Sequence, residues 1–129
     1  MTSALLIIDA QQGLCSGRYA VFDAKVLIER ICGVAARVRA AGAAVVVIQH
    51  EADDGLMNHG SSGWQLVEGL VVTSTDIRMR KRGSDAFHQT GLDAELKKRD
   101  VTRLIICGMQ SEFCVDSTTR GALAREVIR

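Results

Sequence analysis

Three residues able to share the work of nucleophilic catalysis stand at the ends of elements: Asp9 after an apolar run, Lys81 at the end of an alternating piece and Cys114 where a helix begins. Cys114 follows Leu104-Ile105-Ile106-Cys107, a glycine at 108 and the start of a helix near Ser111. Unpaired backbone N–H groups and the positive end of the helix dipole favour a thiolate there, so Cys114 is read as a nucleophile. Asp9 closes the run Ala4-Leu5-Leu6-Ile7-Ile8. An uninterrupted run of that kind is a strand buried on both faces, and the ligand crevice of an open α/β sheet lies beyond such carboxyl ends. Taken alone, Asp9 would serve equally well as a turn or capping residue. Lys81 continues the face of Ile77 and Met79, while Arg78, Arg80 and Arg82 share the opposite face. An ammonium at the end of an apolar face needs a carboxylate or a ligand. Together the three make a workable unit in which a carboxylate takes the thiol proton, a lysine holds that carboxylate, and backbone N–H groups stabilise an oxyanion.

The elements that must position them read as alternating strands and helices. Leu27, Ile31, Val34 and Val38 fall at helical spacing between residues 23 and 41, with Gly42 as the stop. Residues 43–48 form the next buried strand, giving a β-α-β unit whose end presents Gln49, His50 and Glu51. Residues 52–63 are a loop rich in Asp, Gly, Asn and Ser, and Trp64 after it either closes a pocket or anchors the loop on the core. Val71-Val72-Thr73 is a short strand-like piece. Thr90 is placed to cap a helix running to about Arg99, with Leu92 and Leu96 facing inward, and residues 101–107 are a further buried strand. The predicted fold is α/β: one domain over residues 1–129, a three-layer Rossmann-like open sheet, mainly parallel, with helices on both faces.

Composition narrows the function. Among 129 residues, 47% are hydrophobic, and 16 basic against 15 acidic residues leave a formal charge of +1. That balance gives no electrostatic basis for nucleic acid, and three arginines without interleaved aromatics read as a solvated face. No apolar run spans a bilayer and no signal peptide opens the chain, so a cytoplasmic protein with a small-molecule partner is expected. Cys15, Cys32, Cys107 and Cys114 lack metal-type spacing and read as reduced thiols, Cys32 and Cys107 in the core.

The segments Leu6-Ile7-Ile8-Asp9-Ala10-Gln11, Lys81-Arg82-Gly83-Ser84-Asp85-Ala86-Phe87 and Cys107-Gly108-Met109-Gln110-Ser111-Glu112-Phe113-Cys114-Val115 resemble, in order, the isochorismatase-like cysteine hydrolases, which include nicotinamidases and carbamoylsarcosine amidohydrolases. The resemblance implies Asp9 as general base, Lys81 as third member of the triad and Cys114 as attacking thiolate. It further implies a cis peptide between Met109 and Gln110, with the backbone amides of Gln110 and Cys114 forming the oxyanion hole; Gln11, His50 and Trp64 match positions bordering the substrate pocket. A non-proline cis bond costs about 3 kcal/mol and is kept where the surroundings fix it for function.

Two departures shape the expectation. His50 and His59 sit in HEADDGLMNHG without the pattern that binds metal in nicotinamidases, so no metal and no cofactor are expected, and His50 is either a polar pocket group or a satisfied strand-end histidine. Family members continue into a further strand and helix, so the sheet is expected to lack its last strand and helix and to be completed by a homo-oligomer. The expected reaction is hydrolysis of the C–N bond of a small amide or ureide through an acyl-enzyme on Cys114. The alternative is a truncated, catalytically weak relative acting as a binding or assembly protein; a redox-sensing thiol is a third reading, with Cys15 as the candidate partner.

Overall fold

Three uninterrupted apolar runs and one alternating piece become the strands of one parallel sheet. The computed structural model of the chain describes residues 2–15, 24–83, 85–108 and 118–119. In it β1 (Ser3–Ile8), β2 (Ala44–His50), β3 (Ile77–Lys81) and β4 (Arg103–Gly108) pair in the order β3-β2-β1-β4, every pair parallel. Five of the six residues of β1 are buried, as a central strand covered on both faces requires. A four-residue helix, α1 (Gln12–Cys15), follows it.

Alternation of side chains divides the core in two. On one face Leu5, Ile7, Val45 and Val47 meet Ile28, Ile31, Ala35 and Val38 of α2 (Ala24–Ala40). On the other, Ala4, Leu6, Ile8, Val46 and Ile48 meet Leu92 and Leu96 of α3 (Leu92–Lys98), together with Ala86 and Phe87. Each such aliphatic side chain contributes about 1.5–3 kcal/mol by leaving water. These are the three layers expected from the sequence.

The stop of α2 falls where Gly42 places it, whereas α3 has Gly91 at its N-cap, without a side-chain cap bond, in place of the expected Thr90. Gly42 takes φ +77° just past α2, its N–H bonding Arg39 O (2.9 Å) while Ala43 N–H bonds Val38 O (3.1 Å), the pairing of a Schellman stop. Thr90 Oγ1 accepts from Leu92 N–H at 3.3 Å at the start of α3. The strand-like piece Val71-Val72-Thr73 is not a strand. Its backbone is drawn into other contacts: Arg39 Nη2 donates to Val71 O at 3.1 Å, and Thr73 N–H donates to Asp76 Oδ2 at 2.9 Å.

Register carries the consequence for function. Ile8 lies opposite both Ile48 and Gly108, and His50 lies opposite Lys81, so the carboxyl ends of all four strands share one edge. Since the chain builds β1, β2, β3 outward and then returns to place β4 on the other side of β1, the topological switch falls between β1 and β4, beside Asp9. No helix among the described residues is long and apolar enough to cross a membrane.

Candidate active site

Asp9 is the first residue past β1 and is 1% exposed. Its backbone takes φ +59°, a left-handed conformation uncommon outside glycine, held by Asp9 N–H to Ile48 O (3.0 Å) and Gln11 N–H to Asp9 O (2.8 Å). This turn swings the carboxylate off the strand axis. On the neighbouring strand Gly108 has φ +143°, and a Cβ there would stand 1.9 Å from Ile8 O. Only glycine lets the end of β4 come this close to the backbone that leads into Asp9.

Lys81 continues the inward face of β3, as its alternation predicts, and its side chain is 0% exposed. The ammonium lies 3.4 Å from Asp9 Oδ1 and 3.3 Å from His50 Nδ1, and donates to Gly83 O at 2.8 Å. The buried cation therefore has the carboxylate partner the sequence demanded. Asp9 Oδ1 accepts no hydrogen bond among the described residues, and its contact with Lys81 there is one of charge. The His50 imidazole titrates below its ordinary range, chiefly because it is buried and next because Lys81 is close. At neutral pH it is uncharged. Burial pushes the Cys107 thiol the other way, up to about 11, which fits a core cysteine and not a nucleophile.

Gln11 and Trp64 come together at this edge. The buried amide of Gln11 donates to His50 O (2.9 Å) and Trp64 O (2.7 Å), and its Oε1 accepts from His50 N–H (2.9 Å). Gln49, also buried, donates to the same Trp64 carbonyl at 3.1 Å. Two buried glutamines thus pin the loop that carries Trp64. The indole is half-buried with His59 edge-on at 4.7 Å, and its Nε1 has no hydrogen-bond partner among the described residues.

An open pocket of about 290 Å³ adjoins Lys81, lined by Glu51, Arg80, Arg82, Gly83, His88 and Gln89. The arginine face is exposed yet engaged. Arg78 donates to Gln49 Oε1 at 2.7 Å, and Arg80 forks onto the buried Glu51 at 2.6 and 3.0 Å. Arg82 reaches Asp53 at 3.3 Å. Hydrogen bonding from Arg80 holds the Glu51 carboxyl below its ordinary range. Across the site, the buried Thr118 hydroxyl accepts from Ala86 N–H at 2.9 Å, joining the loop after Lys81 to a residue four positions beyond Cys114.

Cys114, Gln110 and the Met109–Gln110 peptide lie outside the described residues. Asp9, Lys81, His50, Gln11 and Trp64 are brought together at one sheet edge. Sequence reasoning placed Gln49 at the end of β2 without a role and overlooked Thr118; the signal for Gln49 was a polar side chain continuing the run Val45-Val46-Val47-Ile48, whereas Thr118 offered none. Among the described residues no group of three or more His, Cys, Asp and Glu side chains could hold a metal ion.

A parallel sheet covered on both faces, with an acid–lysine pair at its carboxyl edge, defines an α/β protein with an enzyme-like site. The isochorismatase domain matches residues 3–128, and the chain belongs to that family. A streptothricin hydrolase of Streptomyces noursei is 39% identical over 121 residues, covering 93% of this chain and 44% of that protein. A ureidoacrylate amidohydrolase, RutB, of Methylobacterium radiotolerans is 30% identical over 162 residues, covering 97% and 63%. A crystal structure of an isochorismatase family protein superposes with a TM-score of 0.87 at 38% identity, covering 93% of this chain and 71% of that one. The chain spans less than half the length of the streptothricin hydrolase it matches.

Proposed function

We propose that this chain is a cofactor-independent cysteine hydrolase, a single domain over residues 1–129 that cleaves the C–N bond of a small amide or ureide. The observation that carries the reading is the buried Asp9–Lys81 pair at the sheet's switch point. Asp9 takes the proton of the Cys114 thiol, and the thiolate attacks the carbonyl carbon. The oxyanion is met by the backbone N–H groups of Gln110 and Cys114. On collapse the C–N bond breaks as Asp9 returns the proton to the departing nitrogen. Water, deprotonated by Asp9, then attacks the thioester and frees the acid and the thiol. Lys81 keeps Asp9 in place and adds positive potential; Gln11 and Trp64 border the substrate, and His50 stands beside Lys81 at the end of β2.

Support comes from the family and from the names of two relatives, one a streptothricin hydrolase and one a ureidoacrylate amidohydrolase. A cytoplasmic homo-oligomer completes the reading. Its structural support is that β4 ends the sheet among the described residues with Leu104, Ile105 and Ile106 only half-buried. Iodoacetamide labelling of Cys114 against pH, with turnover of streptothricin, ureidoacrylate and simple amides, tests the chemistry. Alkylation well below the pH of an ordinary thiol, with turnover abolished in Cys114→Ala, is expected. An ordinary titration, or turnover unchanged in that variant, overturns it.

A further inference from the structure

Lys81 and Asp9 are not neighbours in the sheet. β2 runs between their strands, so their backbones stand roughly 10 Å apart, two strand spacings. The lysine side chain must cross the end of β2 to reach the carboxylate. What occupies that end is His50, paired in register with Lys81. We propose that His50 is a positioning residue that carries the Lys81 ammonium across β2 to Asp9, and not a substrate contact. Where turnover is concerned, this rests on the hydrolase reading above.

The contacts form a closed circuit. Lys81 Nζ sits 3.3 Å from His50 Nδ1, and Gly83 O fixes it from another side at 2.8 Å. Both backbone groups of His50 are bonded by the Gln11 amide, N–H to Oε1 and C=O from Nε2, each at 2.9 Å. Gln11 in turn bonds Asp9 O across one tight turn. The sequence Asp9, Gln11, His50, Lys81 and back to Asp9 therefore holds the acid and the lysine to one frame. An ammonium only donates, so the role proposed for His50 requires the tautomer with Nδ1 bare and the proton on Nε2. A protonated imidazole would set two cations 3.3 Å apart. The charged groups acting on His50 among the described residues are Lys81, Asp9 and Asp54, with the Gly83 carbonyl as a further acceptor.

Substitution geometry separates this role from a substrate contact. Asn places its oxygen where Nδ1 stands, Gln places its own near Nε2, and Leu has none. His50→Leu and His50→Gln are expected to lower kcat by about ten- to a hundredfold, the value of one hydrogen bond to a charged group, with KM little changed, while His50→Asn recovers most of the loss. Nitrogen-15 spectra of the resting protein should show Nδ1 bare and Nε2 protonated at neutral pH. The His50 midpoint should rise in Lys81→Met, or in Asp9→Asn/Lys81→Met should the single variant fail to fold.

A proton on Nδ1 at neutral pH overturns the proposal, as does a midpoint indifferent to Lys81 or a KM defect in all three His50 variants. If Cys114→Ala retains turnover, the hydrolase reading falls, while the tautomer and its response to Lys81 still decide the role of His50.

Discussion

Two residues at the site's edge owe their place to what they lack or what they face. Gly108 lacks a Cβ, and the 1.9 Å approach to Ile8 O together with φ +143° leaves no room for one. Gly108→Ala should therefore lower stability by about 2 kcal/mol or more in urea unfolding, through overpacking and backbone strain. Lys81 faces a carboxylate that is itself 1% exposed. Removing one member of such a pair strands a buried charge, so Lys81→Met is expected to cost about 3 kcal/mol, and Asp9→Asn/Lys81→Met to recover most of it. A double-mutant cycle by denaturant unfolding measures both. The need of Lys81 for an acid could be read from the alternation of Ile77, Met79 and Lys81, and Asp9 could be named as its partner; the contact itself, across 72 positions, is made only by strand order.

Between elements, the tie that matters joins the turn after β1 to the end of β2 and to the Trp64 loop. Gln11 makes three of its hydrogen bonds to backbone groups, and Gly63 before the tryptophan packs so closely that a Cβ would meet Leu56 O at 2.2 Å. Trp64 is the only tryptophan, so its fluorescence reports this loop without interference. Gln11→Leu should shift its emission to the red as the loop loosens and lower stability by about 2 kcal/mol through the unpaired groups it leaves. Gly63→Ala should produce the same spectral shift by a steric route. Strands and helices here were legible because burial and periodicity agree; α2 runs from Ala24 to Ala40 against a predicted 23–41. Val71 to Thr73 misled because β-branched residues carry strand propensity wherever they stand, and Arg39 and Asp76, distant in sequence, claimed that backbone instead.

Across the whole molecule, acid should weaken the fold in two steps. His50 is held below its ordinary value of 6.5, so its share of stability is complete above that pH and is lost as the pH falls from there through its lowered value. Glu51 is held below 4.5 by Arg80, and its share is lost only as the pH falls further. Urea midpoints measured from pH 8 to pH 3 should show both steps, the upper one absent in His50→Leu and the lower one reduced in Glu51→Gln, since Asp76, held low by hydrogen bonds from Arg39 and Thr73 against its burial, keeps its own share. Sedimentation of the intact chain tests the oligomer: a mass of two chains or more is expected, and a single-chain mass overturns it. By itself the sequence determined the class of fold and the types of residue at its carboxyl edge, because short apolar runs alternating with helical patterns read as covered parallel strands and because the ligand crevice lies beyond the ends of such strands. Tertiary structure decided how that edge is wired. Placing β2 between β1 and β3 set His50 under the lysine and gave Gln11 to the backbone, and no spacing along the chain encodes an order of strands in space.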